Sequence, residues 1–157
     1  MAPLVLFVCT GNICRSPMAE ALLKMALPTN TTWHVASAGL NTQGGDSASA
    51  NAITVIAELG GNLQAHVSQP LLPQLAKEAS IIIVMTDTQA QQFNTRFPSA
   101  DKHLFLLRSF DPNAMPESNL DDPFCGTLTE YRRCRDLIRQ AIPGIIALLK
   151  QTPQWKN

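Results

Sequence analysis

The stretch Pro3-Leu4-Val5-Leu6-Phe7-Val8-Cys9-Thr10-Gly11-Asn12-Ile13-Cys14-Arg15-Ser16-Pro17-Met18-Ala19-Glu20 decides the reading of this chain. Its apolar start, Leu4 to Val8, predicts a buried strand. Its end opens a helical pattern from Pro17 to Leu27. Pro17 falls in the first turn, where its missing N–H costs nothing, and Ser16 is the expected N-cap. A tight loop in between carries Cys9 and Arg15, with five residues separating them. A strand–loop–helix junction of this kind gathers backbone N–H groups at the positive end of a helix dipole. Such a place suits a tetrahedral oxyanion, with the sulfur of Cys9 at its floor.

The alternation continues outward from this loop. Pro28-Thr29-Asn30 reads as a turn, and Trp33 to Ala38 as a second strand ending at Gly39. Gln43 to Asp46 is a loop, and Ser47 to Leu59 a helix stopped by Gly60-Gly61. Pro70 to Ala79 predicts a short helix, Ser80 to Met85 a strand, Thr86 to Phe97 a helix opened by Asp87, and Lys102 to Leu107 a strand. A long loop with three prolines follows (Pro112, Pro116, Pro123). Thr127 to Lys150 reads as the last helix, kinked or broken at Pro143-Gly144. Ile81-Ile82-Ile83-Val84 is apolar without alternation, which marks a strand buried on both faces. The expected fold is α/β: a single doubly wound domain over residues 1–150 with a four-stranded parallel sheet and helices on both faces, and a frayed tail at 151–157. Ligands of such sheets bind at the carboxyl ends of the strands, where Cys9 lies.

Composition narrows the function classes. The chain has 157 residues, 45% of them apolar, and zero formal net charge. There is no global field to attract nucleic acid or an anionic membrane, and no apolar run of about 18 residues that would span a bilayer. Neither nucleic acid nor membrane is expected as a partner. The first apolar run has no basic segment ahead of it and leads straight into the loop, so it reads as a strand and not as an export signal. Four cysteines (Cys9, Cys14, Cys125, Cys134) are too few for a disulfide scaffold. The expected compartment is therefore the cytoplasm, where thiols stay reduced. Cys9 and Cys14 lack a CxxC spacing, and His34, His66 and His103 form no ligand pattern, so no metal or other cofactor is expected.

The loop residues carry a specific chemistry. A free cysteine has a pKa of about 8.5, and attack on phosphorus needs the thiolate. A helix N-terminus, convergent N–H groups and a nearby guanidinium all stabilise that anion. Gly11 is expected to let the backbone turn so that amides point inward. Arg15 offers a planar fork for two phosphate oxygens. Thr10, Gly11, Asn12, Ile13, Cys14 and Arg15 would together wrap the phosphate. The leaving oxygen needs a general acid, and hydrolysis of the phosphocysteine needs a base; one carboxyl group can serve both steps. Asp122-Pro123 is the best candidate. Asp121 is adjacent, and Asp111-Pro112 is a second Asp-Pro pair of a kind that turns commonly use.

At these residues the chain resembles the low-molecular-weight protein tyrosine phosphatases. Cys9 to Glu20 matches the family's signature loop, Ser37-Ala38-Gly39 the segment after its second strand, and Asp122-Pro123-Phe124 its late acid-loop motif. The resemblance implies that Cys9 is the nucleophile, that Arg15 binds phosphate and transition state, and that Asp122 is the general acid and then the base. It implies phosphorylated proteins as substrates and inorganic phosphate as product. It also implies a supporting network of Asn12, Ser16, Ser37 and His66, and a disulfide between Cys9 and Cys14 that shields the nucleophile from irreversible oxidation. A monomer or weak dimer is expected.

The chain also departs from the family pattern. Phosphotyrosine-selective members usually carry an aromatic residue where this chain has Gln43, and often two aromatics after the acid-loop proline, where only Phe124 remains before Cys125. The expected substrate slot is Ile13, Leu40, Gln43 and Phe124. Two rivals share the loop. Protein arginine phosphatases resemble it with a threonine in place of Ile13; thioredoxin-coupled arsenate reductases need two relay cysteines after the third strand. No cysteine lies between Thr86 and Arg108. Hydrolysis of protein phosphotyrosine is the expected activity, with phosphoarginine as the alternative.

Overall fold

The computed structural model describes residues 2–100, 103–115 and 118–152. Four strands form one parallel sheet: β1 (Leu4–Cys9), β2 (His34–Gly39), β3 (Ile81–Val84) and β4 (Leu104–Leu106), in the order β2-β1-β3-β4. The register aligns Cys9 with Gly39 across β1–β2 and Val8 with Val84 across β1–β3. Among the described residues, five α-helices accompany the sheet: α1 (Arg15–Ala26), α2 (Ala50–Ala57), α3 (Pro73–Glu78), α4 (Asp87–Arg96) and α5 (Leu128–Gln151).

The unbroken apolar run of β1 is explained by two cores. Val5, Phe7 and Cys9 face one core, built with Met18 and Leu22 of α1, Val55 of α2 and Ile138 and Ile145 of α5. Leu6 and Val8 face the other, closed by Ala76 of α3 and Phe93 of α4. Strand side chains alternate between faces, so a strand covered on both sides must be apolar at every position. The helix after β1 covers one face and the helix after β3 covers the other. The crevice outside the carboxyl ends of β1 and β3 is therefore the topological switch point, where such folds bind ligands. Cys9 ends β1 at that point.

Several boundaries differ from the sequence expectation, each for a local reason. α1 starts at Arg15, and the residue preceding it, Cys14, makes no side-chain cap bond. Ser16 is thus inside the first turn and not the N-cap, because its hydroxyl is engaged with the loop. α2 is shorter than Ser47–Leu59. Ser47 pairs with Val67 in an antiparallel bridge instead, and the helix opens after Ser49. α3 begins at Pro73 and not Pro70, since Pro70 bridges to Gly39. Strand β4 gives way at Leu107 to a single 3₁₀ turn, Leu107–Phe110. Lys102, the expected first residue of that strand, lies outside the described residues, as do Pro116 and residues 153–157.

The last helix is not broken at Pro143-Gly144: α5 runs without interruption from Leu128 to Gln151, so residue 151 is still helical. Thr127 caps it by accepting from the Glu130 N–H at 3.2 Å, an arrangement with the Thr-x-x-Glu spacing of a capping box. Gly144 has a packing role. A Cβ there would stand 2.5 Å from the Phe110 carbonyl oxygen, so glycine is what lets the 3₁₀ turn lie against α5.

Candidate active site

The loop from Cys9 to Arg15 turns at Asn12, which has φ of 57° and is fully buried. Gly11 has no positive φ, contrary to the expectation that it would make the turn; asparagine is among the residues that tolerate the left-handed region. Five hydrogen bonds hold Asn12 there. Its N–H donates to Cys9 Sγ at 3.3 Å, and its Nδ2 donates to Ser16 Oγ at 2.8 Å and Ser37 Oγ at 2.9 Å. Its Oδ1 accepts from the Gln69 N–H at 3.0 Å, and its carbonyl oxygen meets His66 Nε2 at 2.7 Å. Asn12, Ser16, Ser37 and His66 are thus brought into one cluster around the loop.

Two donors converge on the Cys9 sulfur. Besides the Asn12 N–H, Ser16 Oγ lies 2.9 Å from it. Since Ser16 Oγ already accepts from Asn12, its own hydrogen is available to the sulfur. Gly39 makes this packing possible: a Cβ there would stand 2.7 Å from the Thr10 carbonyl oxygen and 3.2 Å from Asn12 Cβ.

Arg15 is buried beside the sulfur. Its Nη1 donates to the Leu120 carbonyl at 2.9 Å, and its Nη2 stands 3.4 Å from Asp122 Oδ2. Its Nε, also buried, finds no acceptor among the described residues. Asp122 is half-exposed, with Oδ1 accepting from the Phe124 N–H at 3.1 Å. The tip of this acid loop closes with a bond from the Gly126 N–H to the Pro123 carbonyl at 2.7 Å, with Cys125 at φ of 63°. The other two aspartates lie elsewhere. Asp111 is buried and accepts from the Asn113 N–H at 2.8 Å, as a turn residue does. Asp121 does not line the cleft at Cys9; it lines a neighbouring one that Asp122 also borders.

Cys9 to Arg15, Asp122 and Phe124 line a cleft of about 210 Å³. Two expected slot residues do not belong to it. Leu40 is buried in the core on the α3–α4 side of the sheet, and Gln43 is exposed outside the cleft lining. Loop 40–46 therefore supplies no wall; Ile13 and Phe124 supply the apolar one. Thr10 lines the cleft too, with its hydroxyl accepting from Gln89 Nε2 at 3.2 Å.

The remaining cysteines divide by burial. Cys14 Sγ donates to Ser49 Oγ at 3.4 Å and lies 3.2 Å from the Tyr131 hydroxyl. Burial pushes the Cys14 thiol up and the Tyr131 phenol up to about 12. Cys134 is buried and likewise pushed up to about 12 by desolvation. Cys125 is exposed on the acid loop.

Sequence reasoning did not single out Glu20, Gln69, Gln89, Tyr131 or the Leu120 carbonyl as parts of this assembly. Glu20 accepts from the Ser37 hydroxyl at 2.7 Å. Its spacing of four from Ser16 was the available signal, because residues four apart share a helix face. The others reach the loop from distant segments and left no local signal.

Known proteins resemble this chain over nearly its whole length. A family model described as low molecular weight phosphotyrosine protein phosphatase matches residues 4–154. The probable low molecular weight protein-tyrosine-phosphatase AmsI of Erwinia amylovora is 47% identical over 156 residues, covering 98% of this chain and 94% of that protein. Among solved structures, the YwlE arginine phosphatase of Geobacillus stearothermophilus superposes with a TM-score of 0.85 at 35% identity, covering 95% of this chain and 94% of that one. The tyrosine phosphatase Wzb of Escherichia coli K30, solved in complex with sulphate, gives 0.85 at 27% identity over 95% and 99% of the two chains.

Proposed function

This chain belongs to the low molecular weight phosphotyrosine protein phosphatase family, and on that premise we propose that it hydrolyses protein phosphotyrosine through a phosphocysteine. The Cys9 thiolate attacks phosphorus while Asp122, in its acid form, gives its proton to the departing tyrosyl oxygen. The phosphoryl group is then on sulfur. Asp122, now a carboxylate, takes a proton from water; that water attacks phosphorus, and inorganic phosphate and the thiolate are released. Arg15 and the loop N–H groups hold the phosphoryl oxygens in both steps and are preorganised for the charge that develops there. The observation that carries this reading is the meeting of the Cys9 sulfur, the Arg15 guanidinium and Asp122 around one cleft, with Arg15 Nη2 3.4 Å from Asp122.

Ile13 and Phe124 give the ring of phosphotyrosine an apolar wall, and Ile13 favours tyrosine over arginine because it offers no hydroxyl to assist the attacking water. The relatives include protein-arginine-phosphatases at 32% and 36% identity, so the deciding experiment sets phosphotyrosine and phosphoarginine peptides side by side. Wild type is expected to prefer phosphotyrosine and Cys9→Ser to be inactive; a hundredfold preference for phosphoarginine overturns the choice of substrate. Asp122→Ala should lose about 10²–10⁴-fold on phosphotyrosine peptides, and less on esters whose leaving group needs no proton. Activity should survive EDTA.

The reading extends to regulation and setting. Mild peroxide is expected to convert Cys9 to the sulfenic acid, which Cys14 captures as a disulfide with loss of water. Peptide mapping should find that disulfide; sulfinic or sulfonic Cys9 alone would refute it. A cytoplasmic location, with these thiols kept reduced, and a monomer or weak dimer complete the proposal.

A further inference from the structure

A chain of hydrogen bonds leads from the nucleophile out to the surface of α1, and its direction can be read from the ends. The Gln69 N–H donates to Asn12 Oδ1 at 3.0 Å, which fixes the orientation of that amide. Both hydrogens of Asn12 Nδ2 are then committed, one to Ser16 Oγ and one to Ser37 Oγ. Ser37 must therefore send its single hydrogen elsewhere, and it goes to Glu20 Oε1 at 2.7 Å. The other Glu20 oxygen is held by Lys24 Nζ at 2.6 Å. Ser37 is buried, so it has no water to turn to.

We propose that Glu20 is a positioning residue for catalysis: by accepting the Ser37 hydrogen it holds Ser37 as an acceptor for Asn12, which in turn leaves the Ser16 hydrogen to the Cys9 sulfur. Remove the acceptor, and the buried Ser37 hydroxyl must find a new one. Its only neighbour in the network is the Asn12 amide, and to accept from Ser37 that amide would have to turn its oxygen inward, away from the Gln69 N–H, which disrupts the group that aims Ser16. Glu20 touches neither sulfur nor substrate; it acts only through Ser37. Lys24 keeps the carboxylate in place and offsets its charge. The inference rests on the phosphatase reading for its catalytic meaning, but the state of the sulfur can be read without substrate.

The test compares Glu20→Leu, Glu20→Gln, Ser37→Ala and the double variant Glu20→Leu/Ser37→Ala in two assays. These are turnover of a phosphotyrosine peptide and alkylation of Cys9 by iodoacetamide at one near-neutral pH. Glu20→Leu is expected to lower kcat and the alkylation rate by about tenfold, the worth of one hydrogen bond to a charged group, with KM within about twofold. Glu20→Gln keeps an oxygen for Ser37 and should recover most of the loss, which a charge effect alone would not allow. The double variant should be no worse than Ser37→Ala, because the effect travels through Ser37. Wild-type rates in Glu20→Leu, or additive losses in the double variant, overturn the proposal. Should Glu20→Leu fold poorly, the pair Glu20→Gln and Ser37→Ala decides: a loss in Glu20→Gln as large as in Ser37→Ala overturns it. An inactive wild type whose Cys9 alkylation still obeys this pattern would sink the phosphatase reading and leave the relay standing.

Discussion

At the scale of single residues, Asn12 determines the shape of the site. Its backbone occupies a region that side chains seldom adopt, its N–H donates to the Cys9 sulfur, and its side chain commits both amide hydrogens and its oxygen to three partners, Ser16, Ser37 and Gln69. Glycine can adopt the same backbone without strain, so Asn12→Gly separates the two contributions. The turn should persist while the side-chain bonds are lost. We expect stability to fall by about 1–3 kcal/mol, because buried partners are left unsatisfied, and kcat to fall by about ten- to a hundredfold; an unchanged kcat would mean that the backbone alone shapes the loop. The residues with a chemical identity of their own, Cys9, Arg15 and Asp122, were legible in the sequence because their spacing and flanking pattern are local. Glycine's part was misassigned within the same loop. Gly11 was the residue expected to need conformational freedom, yet the requirement falls on Asn12, and the indispensable glycine is Gly39, where a Cβ would collide with the Thr10 carbonyl. Close approach between segments far apart in sequence leaves no trace in a window of neighbours.

At the scale of elements, helix propensity and packing make opposite demands on Gly144. Alanine is the better helix former by about 1 kcal/mol, so a sequence argument favours Gly144→Ala. Its Cβ, however, would stand 2.5 Å from the Phe110 carbonyl and 3.1 Å from Phe110 Cβ, and backbone cannot yield as a side-chain tip can. We expect Gly144→Ala to lower stability by about 1–3 kcal/mol, the usual cost of overpacking, read from the midpoint of urea unfolding. A gain would show that the 3₁₀ turn moves away freely. Gly39→Ala belongs to the same class but bears on the loop as well, and should lose stability and turnover together. The Pro143-Gly144 pair illustrates why element boundaries were the weakest part of the sequence reading. Locally it signals a stop, but Ile138, Ala141, Ile142, Ile145 and Leu149 keep a buried face on both sides of it, and tertiary burial outweighs the local signal.

At the scale of the whole molecule, the doubly buried sheet and the site are one construction. The core that carries β1 to the switch point is continuous with the thiols and phenol behind the loop: Cys14, Tyr131 and Cys134 all belong to it. The order of strands and helices could be inferred from sequence because each element repeats its own period, whereas this inner cluster depends on α5 returning against the loop from more than a hundred residues away. Its burial has a consequence for the pH range of the fold. Desolvation pushes Cys134 from 9.0 up to about 12 and Tyr131 from 10.0 up to about 12. The folded chain therefore holds these protons more tightly than the unfolded chain does. Their contribution is complete below about pH 9 and is lost as pH rises towards about 12, because the unfolded state then binds fewer protons than the native one. Urea unfolding under reducing conditions should show stability falling between about pH 9 and about pH 11. Cys134→Ala leaves a small cavity and should begin lower, yet decline less steeply over that interval. Identical slopes for the two proteins would mean that the thiol is not held neutral by the core, and that α5 leaves it open to water.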